Sequence, residues 1–185
     1  MPIFRKGGHA IHFAHVPRTG GRALVKAVTK AGWFIDYSGR NRNTHPHLMI
    51  HEYDESIKDM PSFAVVRDPV SRFISACKFE GLCKSQDEVV ELLNENKSIP
   101  EVEERHFNRQ IDFIAPHTKI FKYEEDMENL YEFMEFAGLL KSKDDVTQFN
   151  PGSYEFEFNV EEFSSSVMKL RVWYLSDYKR FGYID

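Results

Sequence analysis

His12–Val28, HFAHVPRTGGRALVKAV, changes character halfway along its length. The apolar run AIHFAHV (10–16), bounded by Pro17 and two glycines, reads as a short buried strand. Leu24, Ala27, Val28 and Ala31 then recur at helical spacing and Gly32 follows as a stop, which predicts a helix over 21–31. A strand, a tight turn and a helix start gather several backbone N–H groups and the positive end of a helix dipole around one small volume. That volume suits a phosphate or a sulfate. Gly20 and Gly21 permit positive φ and close approach of backbone to ligand, Arg18 adds a fixed charge, and Thr19 offers a hydroxyl. Two glycines alone equally mark an ordinary strand-to-helix turn. The stretch fits neither G-x-x-x-x-G-K-[ST] nor G-x-G-x-x-G, so an anionic ligand other than ATP or NAD is the sharper expectation.

Outward from this corner the chain keeps alternating. WFIDY (33–37) is a candidate strand, and the polar, His-rich stretch up to Pro61 reads as a long functional loop with one short helix. SFAVV (62–66) is a buried strand running into RDPVSRFISACKF, a helix with Asp68 as N-cap, Pro69 at its first position and Val70, Phe73, Ile74 and Cys77 on one face. Acidic helices are expected at 86–96 and 101–110, a strand at 119–123, and a helix through Leu130, Phe133, Met134 and Ala137 closed by Gly138. The segment 142–158 reads as irregular, with NPGS as a turn and YEFEF as an edge strand; 160–178 holds one broken helix or two short ones. Alternating strands and helices predict an α/β fold with a mostly parallel sheet and ligands at the carboxyl ends of its strands.

The 185 residues are enough for a single domain spanning 1–185, and 42% hydrophobic residues with 16 Phe and 8 Tyr argue for a folded core. The net charge of −5 hides an asymmetry: residues 1–80 carry 12 Lys and Arg against 7 Asp and Glu, the remainder 12 against 22. A basic front half on an acidic protein fits a local site for a small polyanion and not a nucleic-acid groove. Cys77 and Cys83 match neither a disulfide framework nor metal spacing, and reduced structural thiols are expected. With no apolar run long enough to span a bilayer and no signal-peptide core at the N-terminus, a soluble, cytoplasmic protein is the expectation.

The second strand-to-helix corner repeats the first. Arg67, at the carboxyl end of its strand, can hold a phosphate bidentately; Ser75, expected on the face away from Phe73, Ile74 and Cys77, can donate one hydrogen bond to it. Arg72 is either a third contact or an ordinary solvated side chain. Two cradles imply one ligand with two separated anionic groups. FAHVPRTGGRAL resembles the 5′-phosphosulfate loop of the PAPS-dependent sulfotransferases, HxPKTGGTS, and VVRDPVSRFISACKF resembles their 3′-phosphate motif, RDPxxRxxSxY. HPHL, RHFNRQ and KIFKYEED resemble segments of the carbohydrate branch that includes heparan sulfate 2-O-sulfotransferase, and YxxDYxxFGY (174–183) matches the way many such chains finish.

The resemblance implies a three-layer P-loop-like fold, a central mostly parallel sheet flanked by helices. It also implies 3′-phosphoadenosine 5′-phosphosulfate (PAPS) as sulfuryl donor, adenosine 3′,5′-bisphosphate as product and a hydroxyl acceptor, foremost a saccharide. Carried onto this sequence, it makes Arg18, Thr19, Gly20, Gly21, Arg22, Ala23, Arg67 and Ser75 the donor-binding set, with Arg18 and the loop amides stabilising the leaving phosphate. Three positions depart from the pattern: Arg18 replaces the loop Lys, Arg22 a Thr, and Cys77 an aromatic residue. Arg is a planar fork where Lys is a compact charge.

The acceptor hydroxyl needs a base working near neutrality, which points to histidine. His47, at the second His of the HxH segment, is the expected base, with His45 assisting; His12 and His15 read as core residues and His106 as a structural or weaker site residue. Three alternatives stay open: a non-catalytic PAPS- or nucleotide-binding module, a small-molecule kinase, and a zinc hydrolase resting on His45, His47 and His51. No metal is expected for PAPS chemistry.

Overall fold

The computed structural model describes residues 1–37, 45–94, 104–146 and 158–183. The chain forms two compact units, Met1–Val66 with Gln110–Phe149, and Arg67–Arg109 with Asn150–Asp185.

The first unit is built on a five-stranded sheet. Its elements are β1 (Pro2–Lys6), β2 (His9–Phe13), α1 (Gly21–Lys30), β3 (Phe34–Tyr37), α2 (Glu55–Lys58), β4 (Ser62–Val66), β5 (Lys119–Lys122) and, introduced here ahead of its neighbours in the second unit, the helix Met127–Phe136. The strand order is β3-β1-β2-β4-β5. β2, β4 and β5 pair in parallel, whereas β1 pairs antiparallel with both β2 and β3. The sheet is therefore mixed, which corrects the expectation of a mostly parallel one. The reason lies in PIFRK, which forms a strand where none is expected. Gly7 and Gly8, at φ 55 and 84, make the two-residue turn that folds β1 back on β2, and both values are the positive φ that such a hairpin needs.

Alternation along the strands divides the core. Phe4 lies opposite Ile11 of β2 and Ile35 of β3, and with Phe13, Phe63, Val65 and Phe121 it packs against Leu24, Ala27 and Val28 of α1 and Leu130 and Met134 of the Met127–Phe136 helix. The neighbouring Ile3 belongs to a separate cluster with Met1, Leu48, Tyr53 and Ile57, which brings the end of the long polar loop and α2 onto the sheet. β4 lies between β2 and β5 and is buried from Phe63 to Val66, so it reads as an unbroken apolar run. Tyr53 closes this side by donating its hydroxyl to the Phe113 carbonyl.

The second unit is helical: α3 (Pro69–Phe79), α4 (Gln86–Asn94), α5 (Glu104–Phe107), then, with the Met127–Phe136 helix counted as α6, α7 (Ser164–Trp173) and α8 (Leu175–Phe181). Val70, Phe73, Ile74, Cys77, Val89, Phe107, Val167, Leu170, Tyr174 and Tyr178 form its core. The start signals of α3 act as read, since Asp68 accepts the Ser71 amide at 2.8 Å and Pro69 opens the helix. Its packing is different from the expectation. α3 is buried nearly all round from Val70 to Cys77, Ser75 included.

Arg72 is likewise neither surface nor ligand-facing. It is fully buried, donates Nη1 to the His106 carbonyl at 2.8 Å and Nη2 to the Asn108 carbonyl at 2.5 Å, and lies over the Tyr174 ring. Between α4 and α6 the structure has the single-turn α5 and a 3₁₀ turn, Gln110–Phe113, where a longer helix was expected. The 160–178 segment resolves as two helices parted at Tyr174, whose hydroxyl donates to the Phe107 carbonyl at 2.5 Å. The expected NPGS turn and most of YEFEF lie outside the described residues.

Candidate functional site

In the first unit the chain leaves β2, turns through Pro17–Gly20 and enters α1 at Gly21. The backbone alternates along this turn: φ is +67 at Arg18, negative at Thr19 and +83 at Gly20. Among the described residues Arg18 is the one non-glycine residue with positive φ, a conformation that costs about 1–2 kcal/mol for a residue with a Cβ. Alternating signs of φ turn successive N–H groups toward one point, the concave nest in which backbone amides hold anions. The nest opens onto the start of α1. Gly20 caps that helix without a side-chain hydrogen bond, and no acidic residue stands in the first turn, so the positive end of the dipole carries no carboxylate of its own helix.

The glycines do different jobs. Gly20 supplies the left-handed corner. Gly21 already belongs to α1 and is required by space: a Cβ there would lie 2.2 Å from His15 Nε2 and 2.3 Å from His15 Cδ2. The expectation that both glycines serve positive φ is corrected accordingly. Thr19 also differs from its expected role, since it is buried and donates its hydroxyl to the Val16 carbonyl at 2.9 Å, which braces the turn from within. The Ala23 amide donates to the Gly20 carbonyl at 3.0 Å.

His15 is the support under this corner. It is buried, stacks on Phe13 with centroids 5.1 Å apart, and lies 4.3 Å from the His47 ring. His47, half-buried, meets the His15 carbonyl through Nδ1 at 2.8 Å. A carbonyl only accepts, so Nδ1 carries the proton and the neutral ring has its lone pair on Nε2, the tautomer a base requires. The His47 amide in turn donates to His45 Nδ1 at 3.1 Å, with the His45 side chain exposed. Thus Arg18, Thr19, Gly20, Gly21, Arg22, Ala23, His45 and His47 all lie in this one unit.

His15 is the buried core residue expected of it and shapes the corner as well. Tyr123, directly after β5, is not among the expected site residues, and its ring would meet a Cβ on Gly20 at 3.4 Å. Its place at the carboxyl end of a parallel strand was the available signal. His12 belongs elsewhere: burial, then the Met1 ammonium and His117, push its pKa down to about 3, and it sits edge-on to Tyr53.

The second corner lies in the other unit and is built differently. Arg67 follows β4 and is half-buried, and Ser75 lies two turns into α3. Here the helix start is filled by Asp68, so an anion at this corner would be held by side chains and not by a nest. Asp68 also accepts the Tyr178 hydroxyl at 3.4 Å, and burial together with that carboxylate holds the Tyr178 phenol up at about 12. The C-terminal DY pair therefore steadies the RDP segment: Tyr178 reaches Asp68, while Asp177 is buried beneath. His106 is engaged with Glu80 and edge-on to Phe79. Among the described residues no group of three or more His, Cys, Asp and Glu side chains is arranged to hold a metal, and no helix is long and apolar enough to cross a membrane.

The first unit is thus an α/β unit in which a left-handed turn at Arg18 and Gly20 joins β2 to the start of α1, a helix with no acidic residue in its first turn. The chain belongs to the sulfotransferase family, whose model matches residues 1–184. It is thereby a transferase of sulfuryl groups. No curated protein and no solved structure gives a match.

Proposed function

We propose that residues 1–185 act as one PAPS-dependent sulfotransferase that moves the sulfuryl group onto a hydroxyl, with a saccharide as the acceptor. The observation that carries this reading is the Arg18–Gly20 nest at the start of α1. The 5′-phosphosulfate end of the donor suits the nest. Arg67 and Ser75 take its 3′-phosphate by their match to the RDPxxRxxSxY motif.

The reaction is an in-line displacement. The acceptor oxygen attacks sulfur as its proton passes to His47 Nε2; the bond from sulfur to the 5′-phosphate oxygen breaks, and adenosine 3′,5′-bisphosphate leaves. Charge then grows on that phosphate oxygen, where the nest amides and the Arg18 guanidinium stabilise it. Preorganisation supports this assignment, because Thr19 pins the turn to Val16 and the His15 carbonyl fixes the His47 tautomer. His45 holds the His47 backbone in place.

The test is calorimetry with adenosine 3′,5′-bisphosphate on the wild type and on Arg67→Ala, followed by a sulfate-transfer assay on His47→Ala. Binding by the wild type, weakened in Arg67→Ala, with transfer lost in His47→Ala, is the expected result. No bisphosphate binding would overturn the reading. Binding without transfer to any acceptor would assign the chain to a non-catalytic PAPS- or nucleotide-binding module, the reading that Arg18 in place of Lys and Arg22 in place of Thr favour.

A further inference from the structure

The two cysteines of the chain meet where α3 ends. Cys77 stands in the last turns of that helix, which stops at Glu80, and Gly81, at φ 69, reverses the chain. The Gly81 amide donates to the Lys78 carbonyl at 3.3 Å and the Leu82 amide to the Cys77 carbonyl at 2.9 Å, the paired bonds of a Schellman turn. Leu82 is thereby fastened to Cys77, and Cys83 is the next residue, so the turn itself brings the second thiol back to the first. Both side chains lie in the core of the second unit, Cys77 fully buried and Cys83 3% exposed, and the two thiols hydrogen-bond each other.

The pair is asymmetric. Cys83 sits between exposed Gly81 and exposed Lys84, whereas Cys77 is inside the helix packing. The hydrogen bond from the Cys77 thiol outweighs burial and the Glu88 carboxylate and lowers the Cys83 pKa. The same bond, followed by burial, raises that of Cys77. The thiolate is the nucleophile, so Cys83 is the sulfur that reacts first and Cys77 the one held behind it. Among the described residues no third His, Cys, Asp or Glu completes a metal site with them. That leaves chemistry between the two sulfurs.

We propose that Cys77 and Cys83 are a redox pair, oxidised by a hydroperoxide to an internal disulfide that locks the turn ending α3, and reopened by a dithiol. Cys83 sulfur attacks the hydroperoxide oxygen and the O–O bond breaks; the departing oxygen takes the Cys83 proton, leaving a sulfenic acid. Cys77 sulfur then attacks Cys83 sulfur, the S–O bond breaks, and hydroxide leaves as water with the Cys77 proton. Two electrons have passed from the thiols to the peroxide. A dithiol reverses this by two exchanges at sulfur and is itself oxidised to a disulfide. The sulfurs are already in contact, so the bond needs side-chain rotation and leaves the Leu82–Cys77 hydrogen bond in place. The free thiols of the structure are the reduced state of the pair. The inference is independent of the donor and acceptor proposed above.

The test exposes the folded full chain to hydrogen peroxide, at a concentration shown to oxidise both cysteines of the urea-unfolded chain. Thiols are counted after denaturation, intact mass is measured, and a tryptic digest is mapped without reductant; cleavage after Lys78 parts the two cysteines unless they are bonded. Loss of both thiols is expected, with a fall of about 2 Da in a protein that stays the same size, a linked pair of peptides containing Cys77 and Cys83, and full recovery in dithiothreitol. With dimedone present to trap sulfenic acid, Cys77→Ser should be labelled at Cys83, and Cys83→Ser should remain unlabelled at Cys77. Melting temperatures check that both variants fold, and the wild-type measurements stand without them. Three results would each overturn the proposal: both thiols surviving in the folded wild type, oxidation of Cys83 to a sulfinic acid with Cys77 still reduced, or disulfides only between chains.

Discussion

Gly21→Ala separates the two things a glycine can do at this corner. At the first position of a helix, replacing Gly by Ala would ordinarily stabilise by roughly 0.5–1 kcal/mol, through helix propensity and a less flexible unfolded chain. Here the added Cβ falls 2.2 Å from His15 Nε2 and 2.3 Å from Cδ2, with Phe13 Cε1 at 3.1 Å. The two His15 distances lie more than about 1 Å inside normal van der Waals contact. The ring has little room to retreat, because it is stacked on fully buried Phe13 and lies 4.3 Å from His47. Overpacking of this kind costs about 1–3 kcal/mol, so the sign of the substitution should reverse. A net loss of about 1–2 kcal/mol is expected, read as a fall in melting temperature of about 2–4 °C per kcal/mol for a chain of this size. Displacing His15 also moves the carbonyl that holds His47, so sulfuryl transfer should fall further than stability does. Gly20→Ala is the control: its Cβ would make an ordinary 3.4 Å contact with Tyr123, and its cost should be the left-handed backbone alone, about 1 kcal/mol. A Gly21→Ala protein as stable as the wild type, with unchanged transfer, would refute the packing argument.

Arg18→Gly should melt at or above the wild-type temperature, because φ +67 is unstrained for glycine, while calorimetry finds weaker binding of adenosine 3′,5′-bisphosphate. Arg72→Met should lower stability by about 3 kcal/mol in chemical denaturation, since it strips the donors from two carbonyls inside the second unit. Arg72→Lys should not restore it, a single ammonium being unable to span both carbonyls. His12 gives a pH prediction with a definite sign. Its folded pKa of about 3 lies below the ordinary 6.5, so the unfolded chain binds the proton first and stability present above pH 6.5 is lost as the pH falls toward 3. The slope reaches about 1.4 kcal/mol per pH unit, and denaturation midpoints of His12→Gln measured across that window should be visibly flatter than those of the wild type.

Much of this architecture was legible along the chain wherever the signal is local. SFAVV is β4 without change of bounds, GRALVKAVTK is α1, and Asp68 and Pro69 start α3 as their chemistry demands. The mixed sheet was missed: PIFRK has few apolar residues and no clear alternation, and it becomes a strand only by pairing with β2 and β3. The burial of α3 was not legible either. Its periodicity displays Val70, Phe73, Ile74 and Cys77 as one face, but α5, α7 and α8 pack around it and draw Arg72 and Ser75 inside as well.

The sequence by itself determined that a strand ends in a glycine-rich, basic turn and that a helix begins at Gly21, because turn chemistry, helix periodicity and capping act within a few residues. It also marked Arg18 and His47 as the cation and base to watch. Only the tertiary structure decided what each residue of the corner does. That Gly21 is glycine for the sake of His15, that Thr19 faces inward to Val16, and that His47 carries its proton on Nδ1 all depend on groups brought together from β2 and from the loop more than 30 residues beyond it. Excluded volume and hydrogen-bond partners are properties of neighbours in space, and no spacing along the chain encodes them.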